Sequence, residues 1–191
     1  MQSYFGLSPD YNIGFVILAV DSVRAPDLNA YADVALGALL NIDQLARAQA
    51  TADLAGTYAS EISGGNSTIV LEPTGSDPGL AITSLVVNST DWLSEIAKLS
   101  HVEPQFLDLR LYPTNLESAL GNRTQQALRA VIQDKSALVD AGTPTCISWM
   151  TVDEVVKDGF ALDEFIFELD GNGKAMAIRS PALKARLLRV I

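Results

Sequence analysis

Apolar residues fill both alternating faces of positions 13–20 (Ile-Gly-Phe-Val-Ile-Leu-Ala-Val), the pattern of a strand covered on two sides. Such a strand wants neighbours at both edges, and the first 25 residues offer no other strong strand. It is therefore expected to join a sheet formed later in the chain, or one in a partner or a missing domain. Positions 21–25 read as a turn, and Pro26 suits the first position of a helix. From Asp27 onward, Leu28, Tyr31, Ala35, Leu39, Ile42, Leu45 and Gln49 follow a three-four spacing, with one lapse at the end, in a segment rich in Ala, Leu and Gln. Periodicity and propensity agree there on one amphipathic helix ending near Asp53. Gly56 breaks it, and Thr57-Tyr58 opens a region with a different period.

That region, 56–191, reads as an antiparallel meander. Strands are expected at 56–60, 68–72, 80–87, 105–112, 127–133, 145–151, 162–169, 175–179 and 183–190. Turn residues separate them: Gly64-Gly65-Asn66, Pro73-Thr74-Gly75, Asp77-Pro78-Gly79 and Asp170-Gly171-Asn172-Gly173. One helix is expected at 91–99, capped by Ser89 or Thr90, with Trp92, Ile96 and Leu99 on one face. Many short strands with few crossover helices imply a barrel or a sandwich. The expected fold class is mainly β (α+β). A strand plus long helix appendage (1–54) precedes an antiparallel β-barrel (55–191).

Composition narrows the function classes. A chain of 191 residues with 48% hydrophobic and 19% charged residues can bury a sizeable core. Its 23 acids against 13 bases leave a net charge of −10, which repels phosphate backbones. The bases are scattered apart from Lys184, Arg186 and Arg189, so nucleic-acid binding and attraction to an anionic membrane are not expected. The apolar run at 13–20 is too short to cross a bilayer. Met1-Gln2-Ser3-Tyr4-Phe5 has neither a basic segment nor an apolar core of a signal peptide, so a cytoplasmic location is expected. Three glycosylation triplets sit awkwardly with that: Asn66-Ser67-Thr68, Asn88-Ser89-Thr90 and Asn122-Arg123-Thr124. They should be silent in the cytoplasm. They are otherwise relics of a secreted ancestor, or signs of a longer chain. Cys146 stands alone in an apolar stretch and reads as a buried, inert thiol.

Candidate chemistry is sparse. Positions 105–112 alternate strictly, with Leu107, Leu109 and Leu111 on one face and Phe106, Asp108, Arg110 and Tyr112 on the other. The plainer expectation is a wet polar face carrying an Asp108–Arg110 pair; alternation does not say which face is inside. Were the polar face to line a barrel cavity, Asp108 and Arg110 would be the catalytic candidates, polarising or orienting a ligand. Tyr58, Tyr112 and Trp149 would be the ligand-binding walls. His101, the only histidine, lies in an expected loop and reads as a surface residue. Asp170-Gly171-Asn172-Gly173-Lys174 fails the calcium-loop pattern and reads as a hairpin turn. Asp163, Glu164, Glu168 and Asp170 read as a solvated strand face. No phosphate-cradling glycine loop, dinucleotide fingerprint or Cys-x-x-Cys is present, so no cofactor and no metal are expected.

Several short patterns then occur in a telling order. Pro9-Asp10-Tyr11-Asn12-Ile13-Gly14-Phe15-Val16-Ile17-Leu18 precedes the Ala/Leu helix and Leu54-Ala55-Gly56-Thr57-Tyr58. Leu109-Arg110-Leu111-Tyr112-Pro113, Leu128-Arg129-Ala130-Val131 and Cys146-Ile147-Ser148-Trp149-Met150-Thr151-Val152-Asp153 follow. Ala161-Leu162-Asp163-Glu164-Phe165-Ile166-Phe167-Glu168-Leu169-Asp170 and Ser180-Pro181-Ala182-Leu183 complete the set. Across nearly its whole length the chain resembles the C-terminal part of fungal β-lactamase/transpeptidase-like serine hydrolases. That resemblance implies a lipocalin-like antiparallel barrel following a catalytic domain, with the 13–20 strand an orphan of the catalytic sheet. The family's nucleophile is a Ser-x-x-Lys pair, and none occurs here, nor does a Lys-Thr-Gly or His-x-Gly triplet. Tyr58-Ala59-Ser60 spells the second family motif but falls in the opening barrel strand, where it reads as coincidence.

Two functions remain as expectations. One is a stand-alone barrel binding an apolar small molecule, a non-covalent cyclase or isomerase of fungal specialised metabolism working without a cofactor. The other is a non-catalytic accessory domain of a β-lactamase-like hydrolase. Homodimerisation through the N-terminal strand would also cover the apolar 13–20 segment.

Overall fold

Backbone contacts sort the chain into two compact units, Met1–Gln49 and Ala50–Ile191. The structure is a computed structural model and describes residues 2–8, 13–20, 28–60, 65–74, 77, 79–136 and 152–190. Expected features at 21–25, at Pro26 and across 145–151, including Cys146 and Trp149, lie outside the described residues.

In the first unit, β1 (Gln2–Ser8) and β2 (Ile13–Ala19) form an antiparallel hairpin with Phe5 opposite Val16 and Ser3 opposite Leu18. The 13–20 strand thus has a neighbour that its sequence did not advertise. Gln2, Ser3, Gly6 and Ser8 dilute β1's apolar signal, while backbone pairing with β2 needs no particular side chain. Nor is β2 fully buried. Val16, Leu18 and Val20 are exposed, beside Phe5 and Leu7 on the paired strand. The opposite face carries Tyr4 and Phe15, their rings stacked with centroids 6.0 Å apart.

Helix α1 spans Leu28–Asp53, as its periodicity predicts. Its stripe differs from the expected one. Leu28 and Ala32 are buried, whereas Tyr31, Val34 and Leu45 are exposed. Ala32, one turn on from Leu28, shares its buried side, and the larger Tyr31 and Val34 face outward.

The second unit is a closed antiparallel barrel. Its strands are β3 (Gly56–Ala59), β4 (Thr68–Glu72), β5 (Leu80–Val87), β7 (Leu107–Leu120), β8 (Arg123–Asp134), β11 (Glu164–Leu169), β12 (Ala175–Ser180) and β13 (Ala185–Arg189). They pair in the order β4-β3-β13-β12-β11-β8-β7-β5, and β5 pairs back onto β4 to complete a lipocalin-like ring of eight. Closure removes the exposed edges that an open sheet of this size would present. Short β6 (Thr90–Asp91) pairs with the end of β5, and β9 (Val156–Lys157) with β10 (Phe160–Ala161) forms a separate small hairpin.

Alternation decides what points inward. Tyr58, Ile69, Leu71, Leu85, Leu111, Phe165, Phe167 and Leu187 are almost wholly buried in one cluster. Each such side chain contributes about 1.5–3 kcal/mol by leaving water. The Tyr58 and Phe167 rings meet edge to face at 6.2 Å. Opposite Glu168 and Leu169, β12 supplies Ala177 and Ala175, so Met176 is an extra residue bulged outward and exposed.

Three expected boundaries shift for local reasons. Asp91, not Ser89 or Thr90, caps α2 (Trp92–Leu99): its carboxylate accepts from Leu93 N–H and from the Ser94 hydroxyl. A carboxylate directly before the first turn also favours the positive end of the helix dipole. Ile96 and Ala97 are the buried positions of α2, and Leu99 is exposed. Pro104–Phe106 forms a 3-10 turn, so β7 begins at Leu107. At its far end β7 runs well past the expected stop at Tyr112. A bulge between Pro113 and Leu116 absorbs the proline, and the Thr114 hydroxyl bonds Ala127 O across the ladder at 2.7 Å. The β7–β8 pair thereby becomes a long arm turning at Gly121-Asn122.

Candidate functional site

Strand β7 places its leucine face inside: Leu109 and Leu111 join the core, while Asp108, Arg110 and Tyr112 face outward. The outward face is nevertheless covered. Arg110 is only 1% exposed because the β4–β5 connection lies over it. Its Nε donates to Asp108 Oδ2 at 2.7 Å, Nη1 to Asp77 O at 3.1 Å and Nη2 to Thr74 O at 3.0 Å. Lys135 Nζ adds contacts of 3.1 Å to Asp77 and 3.2 Å to Asp108. These carboxylates, Asp77 first, hold the lysine's ammonium above its ordinary range. Tyr112 lies beneath the same connection. A Cβ on Gly79 would come within 2.9 Å of the Tyr112 ring, and the positive φ of Gly79 (+81°) makes glycine the fitting residue there.

Tyr58 is the one candidate placed inside the barrel. Fully buried, it donates its phenol to Leu54 O at 2.6 Å. Burial pushes the phenol up to about 12, against the opposing pull of the Arg189 guanidinium. Asp108, Arg110 and Tyr112 are therefore gathered on one outer patch, with Tyr58 apart from them. Trp149 lies outside the described residues.

Sequence reasoning missed three other polar residues. Arg189 points into the barrel beside Tyr58 and donates to Asp53 O at 3.1 Å and to Ala55 O. It thereby satisfies carbonyls at the C-terminal end of α1, where a cation is favoured. Arg129 reaches Asp153 and Asp163 and clasps the segment between them to β8. Glu168 is buried, not solvated as expected, because Arg186 grips it with two bonds of 2.8 Å. That grip holds its carboxyl below the usual range. Nothing local in the sequence marks these partners, which lie from 18 to 136 positions away.

Two spaces remain to be weighed. Near Ile96, Leu109, Ala130 and Leu162, the core leaves a cavity of about 10 Å³, around the room of one water. The larger space is an open groove of about 420 Å³ in the wall. It forms because the β5–β7 ladder runs only from Leu80–Leu111 to Ala81–Arg110 before α2 and the 3-10 turn wedge in. Its apolar residues include Ile82, Leu93, Leu107 and Leu109, and its polar ones Thr74, Thr83, Asp91, Ser94 and Asp108. Such a surface can hold a small molecule with an apolar body and a few hydroxyl or amine groups. Among the described residues no group of His, Cys, Asp and Glu is placed to hold a metal ion.

Neither curated proteins nor solved structures give a match to the chain. One family profile does match, over residues 46–191, which takes in the whole barrel unit. On a barrel of this order, with the profile covering most of its length, the chain belongs to the family described as "Beta-lactamase-like-like, C-terminal domain".

Proposed function

We propose that the chain is a non-catalytic accessory region of a β-lactamase-like hydrolase: a rigid barrel that supports or covers the hydrolase's catalytic domain. The observation that carries this reading is the filled barrel interior. Tyr58, Leu111, Phe165 and Phe167 occupy the space in which a lipocalin-type ligand would sit. The family assignment supports it, since the profile is one of a C-terminal domain. So does the β1–β2 hairpin, whose outer face of Phe5, Leu7, Val16 and Leu18 is apolar and exposed. To test it, the tagged protein is isolated from the cells that make it and treated with a fluorescent penicillin that acylates Ser-x-x-Lys serines. Label on a hydrolase domain that co-elutes, with residues 1–191 themselves unlabelled, is the expected outcome. Label within residues 1–191, or elution with no label outside them, overturns the reading.

The groove favours a second reading, a barrel that binds an apolar small molecule and guides a cyclisation or isomerisation. Asp108 would then orient the ligand at the groove, with Arg110 and Tyr112 behind it on the same strand face. Native mass spectrometry of the same preparation separates the two. A retained small molecule lost on Leu107→Arg substitution supports the groove; a ligand-free barrel removes it.

A further inference from the structure

We infer that this protein is N-glycosylated, at Asn122 and Asn88 foremost, and that its barrel surface is built to carry glycans. Three of the chain's eight asparagines stand in Asn-x-Thr triplets, none with proline in the middle. All three lie in the barrel unit, and all fall at chain reversals: β3–β4, β5–β6 and β7–β8.

A glycan is tolerated where it replaces no ladder hydrogen bond and displaces no packed side chain. Asn122 meets this best. It sits at the tip of the β7–β8 arm, where every residue from 117 to 124 is exposed. The arm also exposes Leu116 (64%) and Leu120 (45%), apolar surface that a hydrated sugar at its tip would shield. Asn88 is in a left-handed conformation (φ 50°), which asparagine tolerates, and Asn88, Ser89 and Thr90 are all exposed. Asn66 is the constrained member. Its Nδ2 donates to Ser89 Oγ at 3.0 Å, its carbonyl accepts from Ser89 N–H, and the neighbouring Ser67 hydroxyl accepts from Asn88 N–H. Asn66 and Asn88 therefore share one patch, and in the folded protein Asn88 is the member with room.

In the transfer, asparagine Nδ2 bonds to the anomeric carbon of a lipid-diphosphate-linked oligosaccharide. The carbon–oxygen bond to the diphosphate breaks, the lipid diphosphate leaves with the electron pair, and the amide nitrogen gives up one proton. The co-reactant is met in the secretory lumen, so the inference places the protein there and sets aside the cytoplasmic location expected from its N-terminal residues. It does not depend on which reading of the barrel's function holds.

The test is intact-mass and peptide analysis of the protein from its own cells, with and without an amidase that removes N-glycans and leaves aspartate. Expected are a mass loss on treatment and Asn-to-Asp conversion at Asn122 and Asn88, with Asn66 converted least. Asn122→Gln and Thr124→Ala should each remove one glycan equally, since the second keeps the asparagine and deletes only the acceptor hydroxyl. Either variant should keep the barrel's circular dichroism, which separates a missing glycan from misfolding. Unmodified asparagine at Asn122 and Asn88, or a glycan on Asn66 alone, overturns the inference.

Discussion

Tyr58 shows how a single residue can look like a ligand-binding wall in sequence and serve the fold instead. Its phenol is sealed in the core and bonded to Leu54 O, so ionising it would bury a charge. The folded phenol is raised to about 12, while an unfolded tyrosine ionises near 10. The folded state thus holds its proton longer than the unfolded state. The stabilisation is complete below about pH 10 and is lost as pH rises through about 12. Phenolate absorbance of the native protein should show Tyr58 titrating late, together with unfolding. Tyr58→Phe should abolish that late step and cost about 1 kcal/mol at neutral pH for the lost hydrogen bond. A late step that survives in the variant would assign it to another tyrosine.

At the scale of elements, arginines tie down what the sheet itself does not. Arg110 pins the β4–β5 connection by its backbone carbonyls, with Asp108 as its counter-ion. Arg110→Met should cost about 3 kcal/mol, since Asp108 keeps Lys135 as a second cation. Hydrogen exchange at 79–81 should rise far more than at β11, whereas uniform exchange would deny the staple. On the opposite wall, Arg186 holds Glu168 below the usual carboxylate range. That contribution is present above about pH 4.3, where an unfolded glutamate ionises, and fades as pH falls through the lower folded value. Arg186→Leu should cost about 1–2 kcal/mol at neutral pH, kept small because the arginine is 40% exposed. The deficit should narrow on acidification below pH 4, in urea melts across that range. Both pairs explain what sequence conveyed and what it did not. The period-two pattern of Leu107, Leu109 and Leu111 identified the strand and its faces. It could not reveal that the polar face would be roofed by residues some thirty positions earlier, nor that Glu168 would meet an arginine two strands away. Where an element was misjudged, a local signal outweighed pairing. The strand expected to stop at Tyr112 continues past Pro113 through the bulge, and β1's small polar residues hid a partner for β2.

For the whole molecule, the two units differ in how complete they are. The barrel closes on itself and fills its own interior. A two-stranded hairpin is marginal alone in water, and this one shows Phe5, Leu7, Val16, Leu18 and Val20 to solvent. These side chains make one contiguous apolar face, because Phe5 lies opposite Val16 and Leu18 lies one pair step further along the same face. A net charge of −10 keeps the protein dispersed at long range but acts weakly across a contact already desolvated. The purified chain should therefore self-associate in sedimentation, tightening with added salt as charge repulsion is screened and apolar burial persists. Phe5→Lys with Leu18→Lys should return it to monomer and leave the barrel's melting transition in place, because neither residue belongs to the barrel unit. A hydrolase domain that uses the same face should compete with self-association in the parent protein and fail to bind the double variant. Parent protein that stays monomeric at every salt concentration would mean that this face is already satisfied within the chain. The hairpin would then not be the attachment surface of an accessory barrel.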